Sequence, residues 1–239
     1  MYIRIVKLFF IFLIPFKRYC QYDFIVNSLL IKKPTLEINK LKGKFDLYKS
    51  PNSNFTDSRN YKYSNSKKIE LLFVENDSNS GCDTFIVFGK KIGIKGKLEN
   101  DWLSCPLDVT SFEVFTFELR NNRYLLIQSI KAASGIATSY IIFHLFDITN
   151  TKKILYFSLW SIYGSPSCFS DFNNDGHLDF LMIRKAETYK KDDIYKLTLS
   201  TIDYSKGSFT PVNNKKYIVF QKHYNKKNEI YVSIISKKW

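Results

Sequence analysis

Asp171-Phe172-Asn173-Asn174-Asp175-Gly176-His177-Leu178-Asp179 places oxygen-bearing side chains on alternate residues around a glycine. Calcium takes about six to eight hard oxygen ligands at roughly 2.3–2.6 Å, so a tightly wound loop of this composition has the donors for it. Asp171, Asn173 and Asp175 would each supply a side-chain oxygen, His177 its backbone carbonyl, Asp179 a further carboxylate, and water the rest. Gly176 permits the positive φ that wraps a chain around an ion. The His177 ring would point outward and is no ligand. Magnesium suits the pattern less, because it dehydrates reluctantly and takes few protein ligands. The competing reading is a solvated acidic turn, since Asn-Asp-Gly is also a strong hairpin signal. Four such side chains at alternate positions exceed what a turn needs, and the ion is expected to be structural.

Little else in the chain has the spacing of a reactive site. There is no G-x-S-x-G, H-E-x-x-H, Walker loop or G-x-G-x-x-G. His144, His177 and His223 are scattered, and no Cys-x-x-Cys occurs. The small-residue run Ala132 to Ala137 reads as a close-packed turn before it reads as a ligand loop, and Asp192-Asp193 as solvated surface.

The elements that must hold the loop are strands. Apolar and polar residues alternate at period two in Tyr195 to Ser200, Glu229 to Ser236 and Lys67 to Glu75. Phe112 to Leu119, Arg123 to Ile130, Tyr140 to Phe146 and Ile154 to Trp160 are further short runs rich in β-branched and aromatic residues. Turn signals fall between them at Asn121-Asn122, Thr149-Asn150, Asn174-Asp175-Gly176, Lys206-Gly207 and Asn213-Asn214. After residue 35 no stretch has the apolar spacing and caps of a helix. The fold class is therefore all-β: an antiparallel meander, propeller-like or irregular, with a β-sandwich or barrel as the alternative. Phe146-Asp147-Ile148-Thr149 and Ile202-Asp203-Tyr204-Ser205 echo each other at about the length of a four-stranded propeller blade. Residues 49–66 are polar and read as a long loop.

Ser170 to Arg184 resembles the calcium loop of FG-GAP and VCBS-type repeats, which carry a similar D-x-N-x-D-G-x-x-D followed by an apolar strand. The residues that carry the resemblance are Asp171, Asn173, Asp175, Gly176 and Asp179, followed by Leu178, Phe180 and Met182. It implies a secreted or surface β-propeller whose calcium braces a loop, and protein or glycan partners. A full propeller would show several such loops, and this chain has one.

The remaining expectations come from composition. The chain has 239 residues, 45% hydrophobic and 17% aromatic, with 36 Lys+Arg against 22 Asp+Glu, for a net charge of +14. So many aromatic residues exclude a disordered basic tail or a collagen-like segment. Arg4 and Lys7 precede the apolar run Leu8 to Phe16, which is too short to cross a bilayer core of roughly 30 Å as a helix. Residues 1–20 read as a signal peptide, with an uncleaved anchor and a buried strand as alternatives, and the Cys20-Gln21 junction resembles the end of many secretory signals. Residues 21–239 then form one all-β domain. Cys82 and Cys105 sit in loop-like sequence and either form a disulfide or, with Cys168, are free thiols. Between Asn213 and Trp239 stand seven lysines (Lys215, Lys216, Lys222, Lys226, Lys227, Lys237 and Lys238) against Glu229. They read first as decoration of edge strands and second as a surface for an anionic polymer. The shortage of arginine argues against specific nucleic-acid recognition.

The expectation is a secreted, periplasmic or cell-surface calcium-binding β-rich module that binds or builds and does not catalyse. Its partner would be a protein or glycan, and a membrane would be met only through an uncleaved N-terminus. A secreted polysaccharide-acting hydrolase and a basic inhibitor or immunity-type protein are the alternatives.

Overall fold

The computed structural model describes residues 22–27, 29, 36–41, 44–48, 60–64, 71–76, 81–93, 113–131, 140–186, 194–212, 216–224 and 230–238. The N-terminal apolar run, Ala132 to Ala137, Asp192-Asp193, Cys105 and Asn213-Asn214 lie outside them. The protein is all-β, as the alternation predicts. Its strands are β1 (Ile38–Lys40), β2 (Lys44–Tyr48), β3 (Asn60–Ser64), β4 (Leu71–Asn76), β5 (Gly81–Val87), β6 (Lys90–Gly93), β7 (Glu113–Leu119), β8 (Asn122–Lys131), β9 (Tyr140–Asp147), β10 (Leu155–Ser161), β11 (Phe169–Ser170), β12 (Asp179–Lys185), β13 (Ile194–Asp203), β14 (Ser208–Pro211), β15 (Tyr217–Tyr224) and β16 (Ile230–Lys238).

They form three sheets, ordered β1-β7-β8-β9-β10, β2-β3-β4-β5-β6 and β11-β12-β13-β15-β16, the last with β14 also on β13. Among the described residues no sheet closes on itself, so the barrel alternative does not hold. The chain divides into two compact units. The first comprises Ile38–Lys131 and Ile142–Leu159, the second Met1–Glu37, Ala132–Ile141 and Trp160–Trp239.

In the first unit, two sheets share one apolar interior. Phe85 and Val87 of β5 cluster with Val114, Leu125, Ile127, Phe146 and Tyr156, all buried. Period two explains the choice, since Val114 pairs with Ile127 across β7 and β8 and turns to the same side. Phe85 meets Phe146 at 5.3 Å and His144 at 4.9 Å, both edge-on, which suits the quadrupoles of the rings. Each fully buried phenylalanine contributes about 1.5–3 kcal/mol. His144 is buried as well, with Nδ1 2.8 Å from the Tyr156 hydroxyl, and burial lowers its pKa to about 3. Phe88 (φ 50°) and Gly89 (φ 74°) make the tight turn between β5 and β6, where two successive left-handed residues match the strand twist.

Two sequence expectations change here. Residues 60–64, inside the expected loop 49–66, form β3 between β2 and β4, because Tyr61 and Tyr63 alternate with polar residues at strand period. Cys82, expected in a loop, lies in β5.

In the second unit, β12 and β13 pair in register from Asp179↔Thr201 to Lys185↔Tyr195, and β13 pairs with β15 from Ile194↔Gln221 to Thr198↔Tyr217. One face of this sheet carries Leu181, Ile183, Leu197, Leu199, Ile218 and Phe220, each buried. Residues 22–27 are helical, and Tyr22, Ile25, Val26 and Leu29 are all buried, at the spacing of one helix face. No helix among the described residues is long and apolar enough to cross a membrane.

Candidate functional site

The Asp171 to Asp179 loop connects β11 to β12, whose pairing (Phe169↔Phe180, Ser170↔Asp179) clamps its two ends together. Phe169 and Phe180 stack at 4.9 Å beneath it, and Phe209 packs edge-on against both. The loop is thus a hairpin connection seated on an aromatic base.

Its own side chains wind it. Asp171 Oδ2 accepts the Gly176 N–H at 2.9 Å, Asn173 Oδ1 the Asp175 N–H at 2.9 Å, and Asp175 Oδ1 the His177 N–H at 2.8 Å. Asp179 Oδ2 accepts the N–H groups of Phe172 at 2.9 Å and Asn173 at 3.2 Å, while Oδ1 accepts the Thr201 hydroxyl. Asp171, Asn173, Asp175 and Asp179 therefore each turn a side-chain oxygen onto the loop's own backbone. Asn174 (φ 60°) and Gly176 (φ 87°) supply the two left-handed steps that the winding requires.

The four side chains are not equivalent. Asp179 is completely buried and Asp171 nearly so, whereas Asp175 is exposed. Burial pushes the Asp179 carboxyl up to about 6, hydrogen bonds from Thr201, Asn173 and Phe172 oppose the rise, and the neighbouring Asp175 charge adds to it. Asn173 also donates its amide N–H to Asp175 Oδ2 at 2.8 Å. The His177 contribution seen is its backbone N–H; its ring makes none of these bonds.

The donor chemistry fits calcium: hard oxygens only, three of the side chains carboxylates. Neither Asp175 nor Asp179 has a lysine or arginine in ion-pair contact among the described residues. Also among the described residues, no three His, Cys, Asp or Glu side chains converge closely enough to hold an ion. The loop is wound, and its carboxylates are not gathered to a single point.

A second polar cluster escaped the sequence reading. The seven C-terminal lysines were expected at the surface, and Lys237 and Lys238 are exposed on β16, the last strand of its sheet. Lys222 instead is buried, 6% exposed, and its ammonium donates to the Tyr163 hydroxyl. The signal was present: Ile218, Phe220 and Lys222 alternate along β15 and so share the apolar face. Tyr163 is fixed by Ser161, whose hydroxyl accepts the Ile183 N–H at 2.9 Å and donates to the Tyr163 carbonyl. Cys168, the last residue of the 3-10 turn Pro166–Cys168, is a buried thiol.

No protein-family model matches this chain, and neither curated proteins nor solved structures give a match.

Proposed function

We propose that this protein is a secreted or cell-envelope β-rich module braced by calcium at the Asp171 to Asp179 loop, related in that loop to FG-GAP and VCBS-type repeats, and that it binds or builds rather than catalyses. The observation that carries the reading is the winding of the loop. Side chains at positions 171, 173, 175 and 179 all turn onto its backbone, and each of them keeps a further oxygen lone pair that an ion could use. Asp171, Asn173, Asp175, the His177 carbonyl and Asp179 would hold the ion. Calcium would supply positive charge where burial and the neighbouring Asp175 charge now disfavour the ionised Asp179 carboxylate. The N-terminal charged and apolar run supports export. The partner in this reading is a protein or glycan, with an acidic polymer at the lysine-rich C-terminal region as a further contact, and specific nucleic-acid binding is not part of it.

Calorimetric titration with calcium should give one binding event, and EGTA should lower the melting temperature by several degrees, since a ligand that binds only the folded state stabilises it by mass action. Asp175→Ser, at an exposed position, should abolish both effects without unfolding the chain. Absence of binding heat together with a melting temperature indifferent to EGTA would sink the proposal.

A further inference from the structure

Lys222 buries an ammonium group among tyrosines. Its Nζ lies 5.6 Å from the Tyr195 ring centroid and 5.1 Å from that of Tyr224, and it donates to the Tyr163 hydroxyl. Tyr163 in turn donates to the Tyr195 hydroxyl at 3.4 Å. Lysine can only donate, and the geometry runs from Lys222 to Tyr163 to Tyr195. Two ammonium N–H groups and the terminal Tyr195 O–H remain as donors. Among the described residues no carboxylate reaches Lys222. Tyr163 and Tyr195 are buried, whereas Tyr224 is 56% exposed. Lys222 and Tyr195 thus hold spare donors, and Tyr224, whose ring lies beside the ammonium, is the exposed residue next to them.

Burying an ammonium is costly unless it is paired, and the faces of neighbouring rings return only part of that cost. An aliphatic residue between Phe220 and Tyr224 would meet the packing requirement without that cost. We infer that Lys222, Tyr163 and Tyr195 form an oxyanion-binding site, taking a carboxylate, sulfate or phosphate group of a ligand that enters past Tyr224. The anion would accept from the Lys222 ammonium and the Tyr195 hydroxyl, while the Tyr224 ring covers the apolar part of the ligand. This goes beyond the calcium reading and uses none of its residues.

The test compares the wild-type chain with Lys222→Met, which keeps length and burial, by thermal melts in calcium-free buffer at fixed ionic strength with chloride, acetate, sulfate or phosphate. General salt effects act on both proteins alike. The wild type should gain several degrees more than the variant from at least one oxyanion. A differential gain from sulfate and phosphate alone assigns a tetrahedral group, and one from acetate assigns a carboxylate. Should Lys222→Met not fold, Tyr195→Phe removes one hydroxyl only and should weaken the anion, titrated by NMR, about tenfold. Equal responses of variant and wild type, or no oxyanion response beyond chloride, overturn the inference.

Discussion

His144 of the first unit and Lys222 of the second are the two basic side chains buried among the described residues, and each meets a tyrosine hydroxyl. His144 lies among Phe85, Phe146 and Tyr156, where an imidazole can shed its proton and become a small aromatic group with one satisfied nitrogen. Lys222 has no such aromatic alternative and retains donors that its neighbours do not use. The same contrast separates the interiors around them. Each unit also buries an aspartate: Asp147 of the first accepts the Thr149 N–H two residues along its own turn, whereas Asp179 of the second ties the loop to β13 by hydrogen bonds to Phe172, Asn173 and Thr201. Where polar groups hold an interior together, a ligand of opposite charge can couple to folding. Where rings hold it, a ligand has nothing to grasp.

Three variants test that division. Phe85→Ala should have the largest effect, a loss of about 3–5 kcal/mol in urea unfolding, because Phe85 is fully buried and touches three other rings. A much smaller loss would mean that the first unit does not depend on its aromatic packing. Asp179→Ala should come next, at about 2–4 kcal/mol in calcium-free buffer, since it strands the buried N–H of Phe172 and the Asn173 N–H. A loss below about 1 kcal/mol would remove the claim that hydrogen bonds hold the second unit. The smallest effect is a pH slope. His144 has a folded pKa of about 3 against an ordinary value of 6.5, so between these the unfolded chain binds the extra proton and stability falls as the pH is lowered. The contribution is at most about 1.4 kcal/mol per pH unit below 6.5. His144→Phe should flatten unfolding free energy against pH between 6.5 and 4.5, and an unchanged slope would show that this ring is not the titrating group.

Several of the strands were legible as runs. Runs such as Tyr140 to Phe146 and Tyr195 to Ser200 carry the period of a sheet buried on one or both faces, and the strands begin and end within a few residues of them. β3 was not legible, because its tyrosines sit in polar sequence without the aliphatic residues that mark a core strand. The echoed Asp147 and Asp203 have a local cause: Asp147 Oδ1 accepts the Thr149 N–H at 2.9 Å, and Asp203 Oδ1 the Ser205 N–H at 3.0 Å. Apolar-Asp-apolar-hydroxyl is here a strand-ending turn, a property of short-range hydrogen bonding. The 171–179 loop was readable as a wound loop because alternate oxygens and a glycine are local information. The Lys222 cluster was not, since Tyr163, Tyr195 and Lys222 come together only through pairing of β13 with β15 and the Ser161 anchor.

The two units are nested in the chain: one occupies residues 38 to 159 with a single excision, and the other is assembled from what flands it on both sides and from the excised segment. During synthesis, the chain therefore delivers every strand of the first unit while the second still lacks β11 to β16. Roughly 80 residues separate the two points, about 4–16 s at ordinary elongation rates of about 5–20 residues per second. In that interval residues 22–27 have been made and must wait for the sheet that shares their unit. A chaperone that binds residues 22–27 would find them without the sheet of their unit for seconds, an order of events written into the topology.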